Sequence, residues 1–263
     1  MATSKVNLGG SYVGQRKVDF GKIQLFATYL DAYTGSRRIL SVMTTRISEV
    51  PLVGEHRALD LVNTVAPRLP EDQRRDYLVT PEDLLIWSQR TGLLDAAAAR
   101  EVEAAWSASP AAGGRALTAV KEIREALYEV LSACLDDTGI SAAAQGQLDH
   151  ISMAWASALP RARLMPAAGG TGVARWVVGS PPALLVADRV AQDVVDLLCG
   201  IDVTRLGRCP VEAGGCGWLF LDHSRNRSRR WCAMEDCGSG AKARRLTERR
   251  RRSRTQVSPT GSA

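Results

Sequence analysis

Cys209, Cys216, Cys232 and Cys237 form two pairs near the C-terminal end of the chain, each pair closing a short loop, with fifteen residues between the pairs. Two turns that each offer two thiolates have the spacing of a structural zinc site, in which four soft ligands surround one tetrahedral ion. A full complement of four thiolates leaves no open coordination position, so the chemistry is structural and not catalytic. Pro210 and Gly214-Gly215 permit a tight first loop, and Gly238 follows the second pair. His223 could act as a substitute ligand, but four cysteines already complete the set. The expected cofactor is one structural Zn(2+) per chain. Cys134 and Cys199 lie in apolar helical patterns and are expected to be small buried hydrophobes.

The site sits in the most basic part of the chain. Arg205 to Arg254 holds 14 Lys/Arg against 5 Asp/Glu, a net of +9. The remainder holds 20 against 23, a net of −3, and the whole chain carries +6. A weakly acidic body with a strongly cationic end suits a nucleic-acid binder. Arg225, Arg227, Arg229 and Arg230 fall between the cysteine pairs. From about Ala241 the composition favours a helix, on which Lys242, Arg245, Arg249 and Arg252 recur at three- and four-residue spacing and Arg244 lies close by. These nine residues are the candidate phosphate contacts, which position a protein on a duplex without reading its sequence. Folded RNA, as met by a ribosome-associated zinc ribbon, is the alternative partner.

The elements that must carry this module read as follows. Residues 1–50 look foreign to the rest, Gly- and Tyr-rich without a helical period, and are expected to be a disordered or non-native extension with Met43 as the natural start. A body is expected over 51–204, the zinc module over 205–252 and a disordered tail over 253–263. Leu52 to Thr64 reads as a strand running into a helix. Thr80, Pro81, Glu82 and Asp83 make a strong helix start, with Gly92 at its end. Asp95 caps a second helix to about Ser107, and Pro110 to Gly114 is expected to be a break. Leu117, Val120, Ile123, Leu127, Val130, Leu131 and Cys134 mark an amphipathic helix over 115–136. Further helices are expected over 141–157 and 182–199, the latter with Gly200 at its C-cap. Arg161 to Leu164 and Val173 to Val178 read as a hairpin. Trp218 to Leu221 reads as a strand with Trp218 and Phe220 on one face and Leu219 and Leu221 on the other. The class is therefore α+β: a mostly helical body with a small β-sheet, then a treble-clef or ribbon-like zinc finger and a basic helix.

The segment Cys216-Gly-Trp-Leu-Phe-Leu-Asp222, the run Ser224-Arg-Asn-Arg-Ser-Arg-Arg-Trp-Cys-Ala-Met-Glu-Asp-Cys-Gly238 and the following Ala241-Lys-Ala-Arg-Arg245 strongly resemble the CGNR zinc-finger family. Ala58-Leu-Asp-Leu-Val-Asn-Thr64 and Thr80-Pro-Glu-Asp-Leu-Leu-Ile-Trp87 resemble the ABATE domain, that family's usual N-terminal partner. The resemblance spans about 51–250. It implies a bacterial, stress-related transcription regulator that binds zinc through its four cysteines and contacts DNA. Two departures stand out: the naming Cys-Gly-Asn-Arg tetrad reads Cys237-Gly238-Ser239-Gly240 here, and the first cysteine loop, with six intervening residues, is long. Zinc binding should survive both; DNA affinity is where they would tell.

Enzymatic motifs are absent from the sequence: there is no Gly-rich phosphate loop, no Gly-x-Ser-x-Gly elbow and no His-Glu-x-x-His. No catalytic residues are expected. If the body senses a small-molecule effector, Arg57, Asp60 and Asn63, near His56, are the residues expected to line its pocket; the body could equally dimerise. No apolar run approaches the ~20 residues that span a bilayer, and no signal-peptide pattern opens the chain. A cytoplasmic, nucleoid-associated protein without membrane contact is the expectation.

Overall fold

The computed structural model describes residues 46–69, 71–136, 141–167 and 173–256. The expected extension and Met43 fall outside these residues up to 45, as does the tail from 257. Seven α-helices and three separate two-stranded antiparallel sheets make up the described chain. The small β component expected consists of local pairs: β1 (Val65–Ala66) with β2 (Arg75–Asp76), β3 (Ala162–Pro166) with β4 (Ala174–Val178), and β5 (Leu206–Arg208) with β6 (Leu219–Leu221).

The body begins earlier than position 51. Ile47 and Val50 are buried, and Arg90 donates hydrogen bonds to both of their carbonyls, tying the entering chain to a helix. Leu52 to Glu55 is not a strand. The chain turns there, with Glu55 at φ 63°, and α1 (Arg57–Val62) follows, capped by the His56 ring, which accepts from the Ala58 amide. His56 is thus a half-buried cap and not a free surface residue. Burial lowers its pKa.

α2 (Pro81–Arg90) starts as its residues require. Thr80 and Asp83 form a capping box that satisfies two amides of the first turn. Asp95 caps α3 (Ala96–Ala108) by accepting from two amides. The expected break at Pro110 to Gly114 is instead the first turn of α4 (Pro110–Leu135). Proline suits a helix's first position because its missing N–H would have no partner there, so only Ser109 separates the two helices. α4 buries Val120, Ile123, Leu127 and Leu131 against α5 (Ala142–Ala158) and α6 (Pro182–Gly200). α6 faces the core with Leu185, Val186, Val190, Val194 and Leu197. Gly200 is its last residue rather than its cap; Ile201, in extended conformation, ends it. Leu184 is exposed, as is Cys199, while Cys134 is half-buried, so neither outlying cysteine is a fully buried hydrophobe.

An ion network of two buried guanidiniums and two half-exposed carboxylates braces α4 against the β1–β2 corner. Arg124 makes a two-pronged contact with Asp76 (2.8 and 2.9 Å) and also donates to Thr64 and Glu125. The Arg68 side chain is fully buried. It donates to the Val62 carbonyl through two nitrogens, pairs with Glu125, and stacks 4.4 Å from the Tyr128 ring centroid. Burial alone would raise the Asp76 and Glu125 carboxyls, but the adjoining guanidiniums override it and hold both below their usual range.

Candidate metal centre and basic face

β5 and β6 pair in the register Leu206↔Leu221, Gly207↔Phe220 and Arg208↔Leu219. The first cysteine loop closes this hairpin. The Cys209 amide donates to the Trp218 carbonyl, Gly217 donates back to Cys209, and Gly215 donates to Pro210. Glycine is required at several of its turns, Gly214 at φ +86° among them. A Cβ on Gly215 would lie 2.6 Å from the Cys209 sulfur, and Gly217 adopts φ +77° with its open side against Arg68. The six-residue insert is therefore a compact knuckle. From Cys232 the chain enters one π-type turn (Met234–Gly238), carrying Cys237, and continues as α7 (Ser239–Gln256). A hairpin knuckle facing the start of a helix is a treble-clef arrangement. α7 starts two residues before the expected Ala241, because the Ser239 hydroxyl donates to the Glu235 and Asp236 carbonyls and joins it to the turn. It also runs past 252, into the segment expected to be a disordered tail.

The four sulfurs lie within 4.8 Å of one another. Cys216 is 3.4 Å from Cys232, and Cys232 is 3.6 Å from Cys237. Four thiolates at ~2.3 Å from a tetrahedral centre stand ~3.8 Å apart, close to this spacing. Cys209 and Cys232 are buried, the other two half-buried. Such a cluster cannot ionise fully by itself. Hydrogen bonds from Cys216 and Cys232 push the Cys209 thiol down, whereas Cys216 and Cys232 are pushed up chiefly by their bonds to Cys209, and Cys237 by burial. A divalent cation supplies the missing charge and permits all four to be thiolates. The set fits one structural zinc ion. His223 is exposed and outside the cluster.

The finger is built into the body, not hung from it. The Asn63 side-chain amide donates to the Leu219 carbonyl (2.9 Å) and accepts from the Leu219 amide (3.0 Å), acting as a strand would along β6. The Trp218 indole donates to Val65 (2.7 Å), the Arg68 amide to Cys216 (2.7 Å), and the Leu221 amide to Gly54 (3.1 Å). Cys209, Trp218, Leu219, Phe220 and Cys232 belong to the same buried cluster as Leu59, Leu61 and Val62. Trp218, Leu219 and Phe220 are all buried, so both faces of the expected strand are covered. Asn63→Ala should cost about 2 kcal/mol, because both Leu219 polar groups would be left buried and unpaired. Urea denaturation checks this, and a loss within ±0.5 kcal/mol would refute the clamp.

The three residues expected to line an effector pocket do not gather in one. Asn63 is committed to Leu219. Asp60 is buried and accepts from the Gly54 amide (2.8 Å), fixing the turn before α1. Arg57 lines a cleft, where it makes a two-pronged ion pair with Asp193. Burial lifts the Asp60 pKa to about 6, against the pull of its backbone hydrogen bonds. A carboxyl whose folded pKa is raised favours folding below its unfolded value of 3.8. That contribution is lost as pH rises from there through 6. Asp60→Asn keeps the acceptor and removes the charge, so its stability relative to the parent should grow between pH 4 and pH 6.5. Parallel pH–stability curves would contradict the assignment.

The candidate phosphate contacts divide. Arg225, Arg227 and Arg230 are exposed on the inter-pair loop, Arg227 at φ 49° with a hydrogen bond to Thr204. Lys242 and Arg249 are exposed on α7. Arg245 and Arg252 take positions on α7, but their side chains lie outside the described part. Arg244 donates to the Gly214 carbonyl, bracing the knuckle against α7. Arg229 leaves the set. Its guanidinium donates to the carbonyls of Val53, Leu221, Trp231 and Cys232, stacks 4.4 Å from the Phe220 ring and pairs with Glu55 at 3.6 Å. It is a bolt between finger and body, not a surface cation. With buried Asp222, which accepts from the Ser224 and Arg229 amides, it shapes the loop that displays its neighbours.

The Arg68–Glu125–Arg124–Asp76 network was not anticipated, although a signal existed: Val120, Arg124, Leu127 and Leu131 share one helical face, placing a cation inside an apolar stripe.

Comparison with known families matches residues 55–201 to the ABATE domain, described as "Putative stress-induced transcription regulator", and residues 205–250 to the CGNR zinc finger. No curated protein matches the chain. The two matched segments meet at the start of the β5–β6 hairpin, where the body ends and the sulfur cluster begins. The chain belongs to the ABATE family and carries a CGNR zinc finger.

Proposed function

We propose that this regulatory zinc-finger protein binds DNA through the face formed by α7 and the Cys216–Cys232 loop, with the body acting as its sensing or dimerisation domain. The observation that carries this reading is the placement of Lys242, Arg249, Arg225, Arg227 and Arg230 as exposed cations on a module that carries the sulfur cluster and shares the body's buried core. Fixed cations suit the phosphate backbone, whose condensed counterions they displace. The sequence departure at Ser239-Gly240 falls at the first turn of α7, where Ser239 is spent on helix-start carbonyls and Gly240 offers no side chain. Contact with bases would then have to come from further along α7 or from the loop. No helix among the described residues is long and apolar enough to cross a membrane.

Mobility shift on random duplex DNA, with and without a chelator, tests the reading. Chelator-sensitive retention supports it; equal retention of structured RNA, or none of either, sinks it. Lys242→Ala should weaken binding two- to tenfold and reduce the slope of log K against log salt by about 0.9, as expected for one lost phosphate contact. An unchanged slope would remove Lys242 from the interface.

A further inference from the structure

The two departures from the family pattern meet at one side chain. The first is the long loop between Cys209 and Cys216, which carries Gly214; the second is Ser239-Gly240 in place of Asn-Arg at the start of α7. Arg244 touches both. Residues 240 and 244 are one turn apart on the same face of α7, and a helical side chain leans back toward the helix N-terminus. The Arg244 guanidinium accordingly lies over the first turn, with Nη2 3.8 Å from where a Cβ on Gly240 would stand. From there Nη2 donates to the Gly214 carbonyl.

Gly214 is the other half of the seat. It ends the short 3-10 turn Val211–Ala213 in left-handed conformation, at φ +86°. The atoms nearest to where its Cβ would stand are Nη2, Cζ and Nε of Arg244, all of them closer than a real Cβ allows. The guanidinium thus fills the place of a side chain on Gly214, and any larger residue there would displace it. Two bare backbones, one from each half of the sulfur cluster, admit one guanidinium: Gly214 lies between Cys209 and Cys216, and Gly240 lies three residues after Cys237. Ser239 and Thr247 direct their hydroxyls to carbonyls of the turn before α7 and of α7 itself, so they add no tie across the cluster. Arg244 crosses it. An arginine at position 240, as in the Cys-Gly-Asn-Arg tetrad, would enter the same space from one turn earlier.

We propose that Arg244 supplies, from one turn further along α7, the guanidinium that the tetrad carries at position 240, and that it latches the first cysteine loop to α7 and so slows the loss of zinc. Zinc leaves when a ligand-bearing loop opens locally, and a latch makes that opening rarer. The long loop and Ser239-Gly240 are then one coupled change. The loop brings a glycine carbonyl to α7, and Gly240 leaves the guanidinium room to reach it. Arg244 is a positioning residue and not a phosphate contact. The inference concerns the zinc site alone and does not rest on the DNA reading, because its test uses no nucleic acid.

The test is the rate at which the full-length, zinc-loaded protein gives up zinc to an excess of a chromogenic chelator, read together with zinc content and melting temperature. Arg244→Ala should speed the transfer about fivefold, as expected for one solvent-exposed hydrogen bond from a charged donor. By charge alone, loss of a cation beside a divalent ion would slow the transfer, so the sign separates the latch from electrostatics. Adding Gly240→Arg to Arg244→Ala should return the rate to within about twofold of the parent, because it delivers a guanidinium to the same seat. Adding Gly240→Ala instead improves helix propensity without the guanidinium and should leave the rate fast. If Arg244→Ala sheds its zinc during purification, zinc content takes the place of the rate, with the same pattern of rescue expected. A parent-like rate in Arg244→Ala overturns the proposal. So does equal rescue by Gly240→Ala, which would reduce the effect to helix propensity, or no rescue by Gly240→Arg, which would show that the two positions share no seat.

Discussion

Cys232→Ser is expected to strip the zinc and to lower the melting temperature of the whole chain in a single step. Zinc binding to four-ligand modules is worth ~10–16 kcal/mol, most of it expressed as folding free energy. Loss of one of four thiolates should remove roughly 3 kcal/mol or more, weakening zinc at least a hundredfold. The fusion of finger and body makes the effect global. Cys232 is buried in the cluster that also holds Leu59, Leu61 and Phe220, and its carbonyl accepts from Arg229, which in turn holds Val53 of the body. If the finger were a hung module, the body would melt unchanged after zinc loss. Metal content by mass spectrometry and one calorimetric scan decide between these outcomes. One zinc per chain in the variant would refute the ligand assignment, and an unshifted body transition would refute the fusion.

Arg68→Ala is expected to destabilise by about 3 kcal/mol, because it empties a fully buried side-chain site and leaves the Val62 carbonyl unpaired. The loss is concentrated because Arg68 serves several neighbours at once. Its guanidinium satisfies the Val62 carbonyl at the end of α1, pairs with Glu125 and covers the Tyr128 ring, while its backbone amide holds Cys216. The backbone contact survives the substitution, so zinc content should stay at one per chain even as stability falls. That separation distinguishes Arg68 from Cys232. Denaturant midpoints and zinc stoichiometry measured together would expose an error: a loss under 1 kcal/mol would show that the network is dispensable, and zinc loss would show that the corner, and not the amide, orients the knuckle. An Arg68→Met variant, which fills the space without the charge, should recover part of the stability, as packed replacements of buried ion pairs do.

Local signals decided much of this protein. The zinc ligands were legible because a metal site needs particular atoms at short spacing, and chemistry of that kind is written in residue type. The helices at Pro81, Ala96 and Pro182 were legible because caps and the 3.6-residue period act within one element. Where the sequence reading failed, at the start of α4, the residues were compatible with two local structures. Pro110 could end one helix or open the next, and only the packing of α4 against α5 and α6 chose. The arginines show the limit most clearly. Arg225, Arg227, Arg229 and Arg230 are equivalent by type and neighbourhood, yet one is a half-buried bolt and three face outward. A guanidinium's role depends on which carbonyls, rings and carboxylates the rest of the chain brings to it, and those partners lie far off: Val53 for Arg229, Asp193 for Arg57, Leu219 for Asn63. Residue type by itself determined that the chain holds zinc and is cationic at one end. The tertiary structure decided which charges are spent inside and which are left to meet a partner, because burial and pairing are properties of the assembled surface and not of the chain.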